Sequence, residues 1–164
     1  MDLDIAIEEP WPAGAWDALA ERASQAAATV APELANARLG ASLLFTSDAE
    51  IRTLNRQWRQ RDQPTNVLSF PMLVRGQVLA LVAEGPPELL GDVALGHETC
   101  MREAADKGID LSDHAAHLIV HGLLHLAGYD HEVSDKAAVE MEALETKALA
   151  GMGLADPYGD RAAS

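Results

Sequence analysis

His121, His125 and His131 fall within the string His121-Gly-Leu-Leu-His-Leu-Ala-Gly-Tyr-Asp-His131, and imidazoles spaced this way around a glycine form a metal-ligand pattern. On a helix predicted over residues 112–127, His121 and His125 stand four residues apart on one face. Their Cβ atoms are then about 5–6 Å apart, a span that one zinc with Zn–N near 2.0–2.1 Å can bridge. Gly128 stops the helix, and a glycine in the left-handed conformation reverses the chain so that His131 returns to the same ion. Three nitrogen ligands leave the fourth tetrahedral position for water, which is the arrangement of a catalytic zinc rather than a closed structural one. The single cysteine, Cys100, agrees, because structural sites usually draw on several thiolates. The alternative is a histidine-rich helix end whose rings are merely satisfied polar groups.

The same string fits the zinc-protease pattern H-E-x-x-H-x-x-G-x-x-H at every fixed position but one: Gly122 stands where the glutamate belongs. That glutamate is the general base that takes a proton from water attacking a peptide carbonyl, so its absence argues against peptidase activity while keeping the metal cradle. Glycine inside a helix costs about 1 kcal/mol relative to alanine. Two readings of that cost stay open at this point: room beside the metal for a bulky phosphodiester, or close packing of the helix on a neighbour.

The elements that must position these residues follow from periodicity. Leu3, Ile5 and Ile7 alternate as a strand, and Trp16–Val30 reads as an alanine-rich helix with Trp16, Leu19, Ala23 and Ala27 inward. Leu39, Ala41, Leu43 and Phe45 alternate again; Ser47-Asp-Ala-Glu50 is a capping box opening a helix that ends near Arg59. Thr65–Phe70 is a short strand closed by Pro71, and Val78–Val82 reads as another. Leu90–Leu95 is a strand feeding a helix at 97–108; Ser112 caps the metal helix, and Ser134 caps a last helix that stops near Gly151. The expected architecture is α+β, one domain over residues 1–152 with a mixed, roughly four-stranded sheet and about five helices, one of them a zincin-like metal helix. Residues 153–164 are expected to be a flexible tail.

At 164 residues and 48% hydrophobic content the chain suits one domain that buries roughly 68–70% of its unfolded surface. One cysteine permits no internal disulfide, the acidic N-terminal stretch is unlike a basic signal peptide, and the longest uncharged run is too short to span a bilayer. A cytoplasmic protein with no membrane partner is expected. The net charge of −14 disfavours nucleic acid in general, yet Arg52, Arg56, Arg59 and Arg61 gather a third of the 12 basic residues into ten positions. The first three share a helical face, as a phosphate-binding patch or as a solvated face balanced by Asp48, Glu50 and Asp62. Global repulsion should keep free RNA binding weak, so that a partner or a large assembly delivers the substrate.

Leu54-Asn-Arg-Gln-Trp-Arg59, Asp62-Gln-Pro-Thr-Asn-Val-Leu-Ser-Phe-Pro71, Gly91-Asp-Val and the histidine string together carry a resemblance. From about residue 3 to residue 150 the chain resembles the YbeY family of bacterial endoribonucleases, single-domain rRNA maturation factors. The resemblance implies a zinc-dependent single-strand endoribonuclease of small-subunit rRNA processing and ribosome quality control, with rRNA and ribosomal proteins as partners and no DNA. It implies one Zn2+ per chain on His121, His125 and His131, with Arg59 and His121 catalytic. Arg52, Arg56, Thr65, Asn66, Ser69 and His117 are the expected substrate contacts, with a plain core or ligand-orienting role as the other reading of His117. Asp130 is expected either to hydrogen-bond a ligating ring or to help the turn. His97 and His114 receive no role. A zinc hydrolase of another substrate and a non-catalytic assembly factor with a metal-stabilised fold are the rival readings.

Overall fold

The computed structural model describes residues 1–159. Strands β1 (Asp2–Ile7), β2 (Leu39–Thr46), β3 (Val67–Pro71) and β4 (Glu88–Gly96) form one sheet in the order β1-β2-β4-β3. The first two and β4 run parallel, and β3 closes the edge antiparallel to β4, with Val67 opposite Leu95 and Phe70 opposite Asp92. Six α-helices accompany them among the described residues: α1 (Trp16–Val30), α2 (Asp48–Arg59), α3 (Arg75–Ala80), α4 (His97–Lys107), α5 (Leu111–Leu126) and α6 (Asp135–Gly151), besides a short 3-10 turn at Pro32–Ala35. The mixed four-stranded α+β domain expected from periodicity is thus the one observed, with one helix more.

The alternating residues of β2 explain the layering. Leu39, Ala41, Leu43 and Phe45 point into the main core with Val93 and Leu95 of β4, where they meet Ala23 and Ala27 of α1 and Ile119 and Leu123 of α5. Leu44 and Ala94 point the other way, into a smaller cluster with Ile51 of α2, Leu68 and Phe70. Helix α5 is therefore buried on nearly every side, and its run from Ala115 to Val120 is apolar around His117. The surrounding core leaves α5 little freedom to rotate, which sets where its histidines emerge.

Two local expectations are corrected. Residues 78–82 are not a strand: Arg75–Ala80 is helical, opened by Gln77 Oε1 accepting from the Val74 N–H at 3.0 Å, and β3 forms the sheet edge with no further strand beside it. Helix α5 begins at Leu111 with Asp110 at its N-cap, so Ser112 lies inside the first turn. The Ser47 cap is present, its hydroxyl accepting from the Glu50 N–H, whereas Asp48 accepts from the Thr99 N–H and hydroxyl of α4 and so tethers α2 to α4.

The structure also decides the meaning of Gly122. A Cβ there would lie 2.8 and 3.1 Å from the two Cγ atoms of Val93, so the missing side chain serves the close approach of α5 to β4 rather than room beside the metal. Valine is stiff about χ1 and cannot swing aside. Gly122→Ala is expected to destabilise the fold by about 1–2 kcal/mol, because overpacking costs of about 1–3 kcal/mol exceed the helical preference for alanine of about 1 kcal/mol. Denaturant unfolding checks it, with Val93→Ala as the companion that should restore much of the loss. A plain stabilisation by Gly122→Ala would refute the close packing.

Candidate metal centre

Helix α5 presents His121 and His125 at its C-terminal end, and the turn that follows supplies His131. The turn is built as the sequence expects: Gly128 takes φ +100°, its N–H donates to His125 O at 2.9 Å, and the Tyr129 N–H donates to Leu124 O at 3.1 Å. Arg75 of α3 clamps this reversal. Its guanidinium donates to Ala127 O at 2.9 Å, lies 4.2 Å from the centroid of the Tyr129 ring and donates to the Tyr129 hydroxyl at 3.1 Å, and it reaches Glu33 at 3.6 Å. Nothing in the sequence pattern marked Arg75, because the stretch after it reads as a strand.

One nitrogen from each of His121, His125 and His131 lies within 4.8 Å of the others, and His125 Nε2 stands 3.1 Å from His131 Nδ1. Tetrahedral zinc with Zn–N near 2.0–2.1 Å needs nitrogens roughly 3.3 Å apart, so that pair needs adjustment by a fraction of an ångström, and the others, within 4.8 Å, need to close by up to about 1.5 Å around one ion. Burial, reinforced by the neighbouring His121 and His131, pushes His125 down to about 4. Its ring is therefore neutral at pH 7 and presents a lone pair.

The carboxylate that orients the centre is Glu145 of α6, which the sequence did not single out. Its Oε1 accepts from His117 Nε2 at 2.7 Å, from the Tyr158 hydroxyl at 2.8 Å and from His121 Nδ1 at 3.2 Å. Burial alone would raise this carboxyl, but hydrogen bonds from His117 and His121 outweigh it and bring it down to about 2. An ionised carboxylate only accepts, so the His121 proton sits on Nδ1 and Nε2 is the free donor atom toward the triad. Asp130 does not take this part: its Oδ1 accepts from the Glu132 N–H at 2.8 Å and shapes the turn.

Glu145→Gln is expected to weaken zinc binding roughly 10- to 100-fold, measured by competition with a chromogenic chelator. Because the folded carboxyl lies below the usual value of about 4.5, its contribution to metal-free stability is complete above about 4.5 and disappears as pH falls toward 2. The variant should lose that part of the acid slope; a parent-like slope would remove Glu145 from the account.

The triad opens into a cleft walled by Thr65, Asn66, Val67, Ser69 and Pro71, at and before β3, and by the turn with Tyr129, Asp130 and Glu132. Arg59 and Arg61 line it, and neither makes an ion pair among the described residues. Arg52 and Arg56 do not line it. Arg52 forks Asp62 at 2.7 and 3.1 Å and Arg56 reaches the same carboxylate at 3.8 Å, so Asp62 balances these two as the solvated-face reading anticipated, while Asp48 instead serves α4. His117 is buried on Glu145 rather than in this cleft, and Glu145 also bonds His121. His114, without an expected role, binds Glu103 at 2.8 Å, and Glu103 in turn accepts from Asn66 Nδ2 at 2.9 Å and so fixes the cleft wall. His97 packs against Trp11, and burial pushes the Cys100 thiol up, away from reactivity. Of the expected tail, Tyr158 reaches Glu145 and Leu154 packs on the core, while residues 160–164 lie outside the described residues.

Fold and site together define a single-domain α+β protein with three converging histidines, able to hold a metal ion, in an arginine-bearing cleft. A profile of the family described as Endoribonuclease YbeY matches residues 8–153, and the chain belongs to that family. Relatives called Endoribonuclease YbeY include one from Erythrobacter litoralis, 62% identical over 161 residues and spanning 98% of this chain and 99% of its own. Another, from Novosphingobium aromaticivorans, is 56% identical over 158 residues and covers 95% of each chain. The solution structure of a Thermotoga maritima protein is similar to this fold with a TM-score of 0.59 at 25% identity, covering 98% of this chain and 92% of that one. Among the described residues no helix is long and apolar enough to cross a membrane.

Proposed function

We propose that this chain is a zinc-dependent endoribonuclease that hydrolyses phosphodiester bonds of single-stranded RNA, acting in the cytoplasm on small-subunit rRNA in maturation and ribosome quality control. Membership of an endoribonuclease family makes it a hydrolase of RNA. The observation that carries the finer reading is the convergence of His121, His125 and His131 on a cleft into which Arg59 and Arg61 bring positive charge that forms no ion pair among the described residues. Zinc held by those three rings would supply Lewis-acid polarisation of a phosphoryl oxygen and acidification of water.

The remaining work falls to the chain's own groups. Glu145 fixes the His121 tautomer, and Arg75 holds the turn that carries His131. Arg59 faces the place where charge grows on the phosphorus centre, and Arg61 assists in drawing the backbone of the substrate in. Thr65, Asn66 and Ser69 border the substrate path, Asn66 with its amide held by Glu103. Arg52 and Arg56 reach phosphate only by giving up Asp62. Gly122 offers no carboxylate base, which favours phosphoryl over peptidyl chemistry.

Protein purified without an affinity tag should carry about one zinc per chain. It should cut single-stranded RNA, lose that activity to a chelator and regain it with zinc, and leave single-stranded DNA and unstructured protein intact. Intact RNA beside a full zinc complement would favour the assembly-factor reading, and zinc-dependent proteolysis would overturn the class of substrate.

A further inference from the structure

Trp58 is the tryptophan that the fold leaves in solvent: it is 71% exposed, whereas Trp11 and Trp16 are 5% and 7% exposed. On α2 it follows the buried Ile51 and Asn55 at i+4 and i+7 spacing, but the helix ends at Arg59 and the chain leaves through a left-handed Gln60 with φ +60°. The inward stripe thus runs out past the protein's edge with an indole still on it. Its immediate neighbour Arg59 lines the metal cleft, as does Arg61. The last turn of α2 and the residues after it therefore carry an uncovered aromatic ring next in sequence to Arg59 and close to Arg61, two cations without an ion pair among the described residues.

The charge balance says why such a ring matters. A chain of net charge −14 repels a polyanion at long range, and two of the four clustered arginines are occupied by Asp62. Phosphate contacts from Arg59 and Arg61 alone make for weak binding. Stacking of a base on an aromatic face is insensitive to base identity, less dependent on salt, and open only to bases that are not paired in a duplex.

We propose that Trp58 is a base-stacking platform at the rim of the cleft, binding a nucleotide that flanks the scissile phosphate of single-stranded RNA. Trp58 is not among the residues that wall the cleft around the histidines, so its partner is a flanking base rather than the reacting nucleotide. The inference rests on the nuclease reading above and adds a specificity-determining residue to it.

Steady-state kinetics and fluorescence of the zinc-loaded protein test it together. Because Trp11 and Trp16 are buried, rapid mixing with single-stranded RNA should quench tryptophan emission through Trp58 before cleavage. Trp58→Ala should raise KM between about 5-fold and 150-fold, the range of one base–aromatic stack, with kcat changed less than about twofold, and Trp58→Phe should recover most of the loss. RNA made abasic at the nucleotides flanking the cut should no longer distinguish Trp58→Ala from the parent. A parent that cuts RNA beside a Trp58→Ala variant of equal KM, with no Trp58-dependent quench, overturns the platform alone and leaves the indole as a surface for a protein partner. A parent that cuts no RNA overturns the nuclease reading and this inference with it.

Discussion

His125→Ala is expected to strip the chain of stoichiometric zinc and, with it, of RNA cleavage, while the fold survives. His125 is the central donor: its Nε2 lies 3.1 Å from His131 Nδ1, and its ring centroid lies 4.7 Å from that of His121. Removing it leaves two donors that can no longer define three corners of a tetrahedron, so affinity should fall by several orders of magnitude. The ring is held neutral, at about 4, by burial and by its two neighbours, which means that the parent is ready to bind at pH 7 without first losing a proton there. Alanine is the best helix former and the position lies in the last turn of α5, so the backbone should tolerate the change. Metal analysis after gel filtration, read beside far-ultraviolet circular dichroism, checks both halves. A variant that keeps one tightly bound zinc would dismantle the assigned ligand set.

Arg59→Glu should leave zinc content and thermal stability near those of the parent and lower RNA cleavage by about 10²- to 10³-fold, the scale of losing one preorganised electrostatic stabiliser. The separation is expected because Arg59 has no ion pair to lose among the described residues, and exposed arginines contribute little to stability. Its guanidinium matters most when charge grows on the phosphate, which is a transition-state interaction. The comparison variant is Arg52→Glu. With its guanidinium already forked on Asp62, that substitution should weaken binding far less. With Arg59 and Arg61 as the cleft arginines without an ion pair among the described residues, the salt dependence of single-strand binding should be shallow, with a logarithmic slope of about −1.4 for two contacts. Parent-like cleavage by Arg59→Glu, or loss through unfolding alone, would remove the arginine from the chemistry while leaving the zinc ligands in place.

What was legible in the sequence was local. His121 and His125 share a helical face because 3.6 residues make a turn, and Gly128 reverses the chain because glycine accepts a positive φ, so the three-histidine cradle needs no knowledge of the rest of the molecule. The alternation in β2 and the caps at Ser47 and Ser134 are of the same kind, each written within a few neighbouring residues. The tertiary structure decided which element faces which. Glu145 comes from a helix twenty-four residues beyond His121, Arg75 from a segment whose apolar run imitates a strand, and Val93 explains Gly122 only once α5 lies on β4. Asp62 takes Arg52 and Arg56 out of play only because the chain turns back after Gln60, which leaves Arg59 and Arg61 to the cleft. Periodicity records the two sides of one element, whereas these partnerships depend on packing between elements distant in sequence, and no short window of residues contains that geometry.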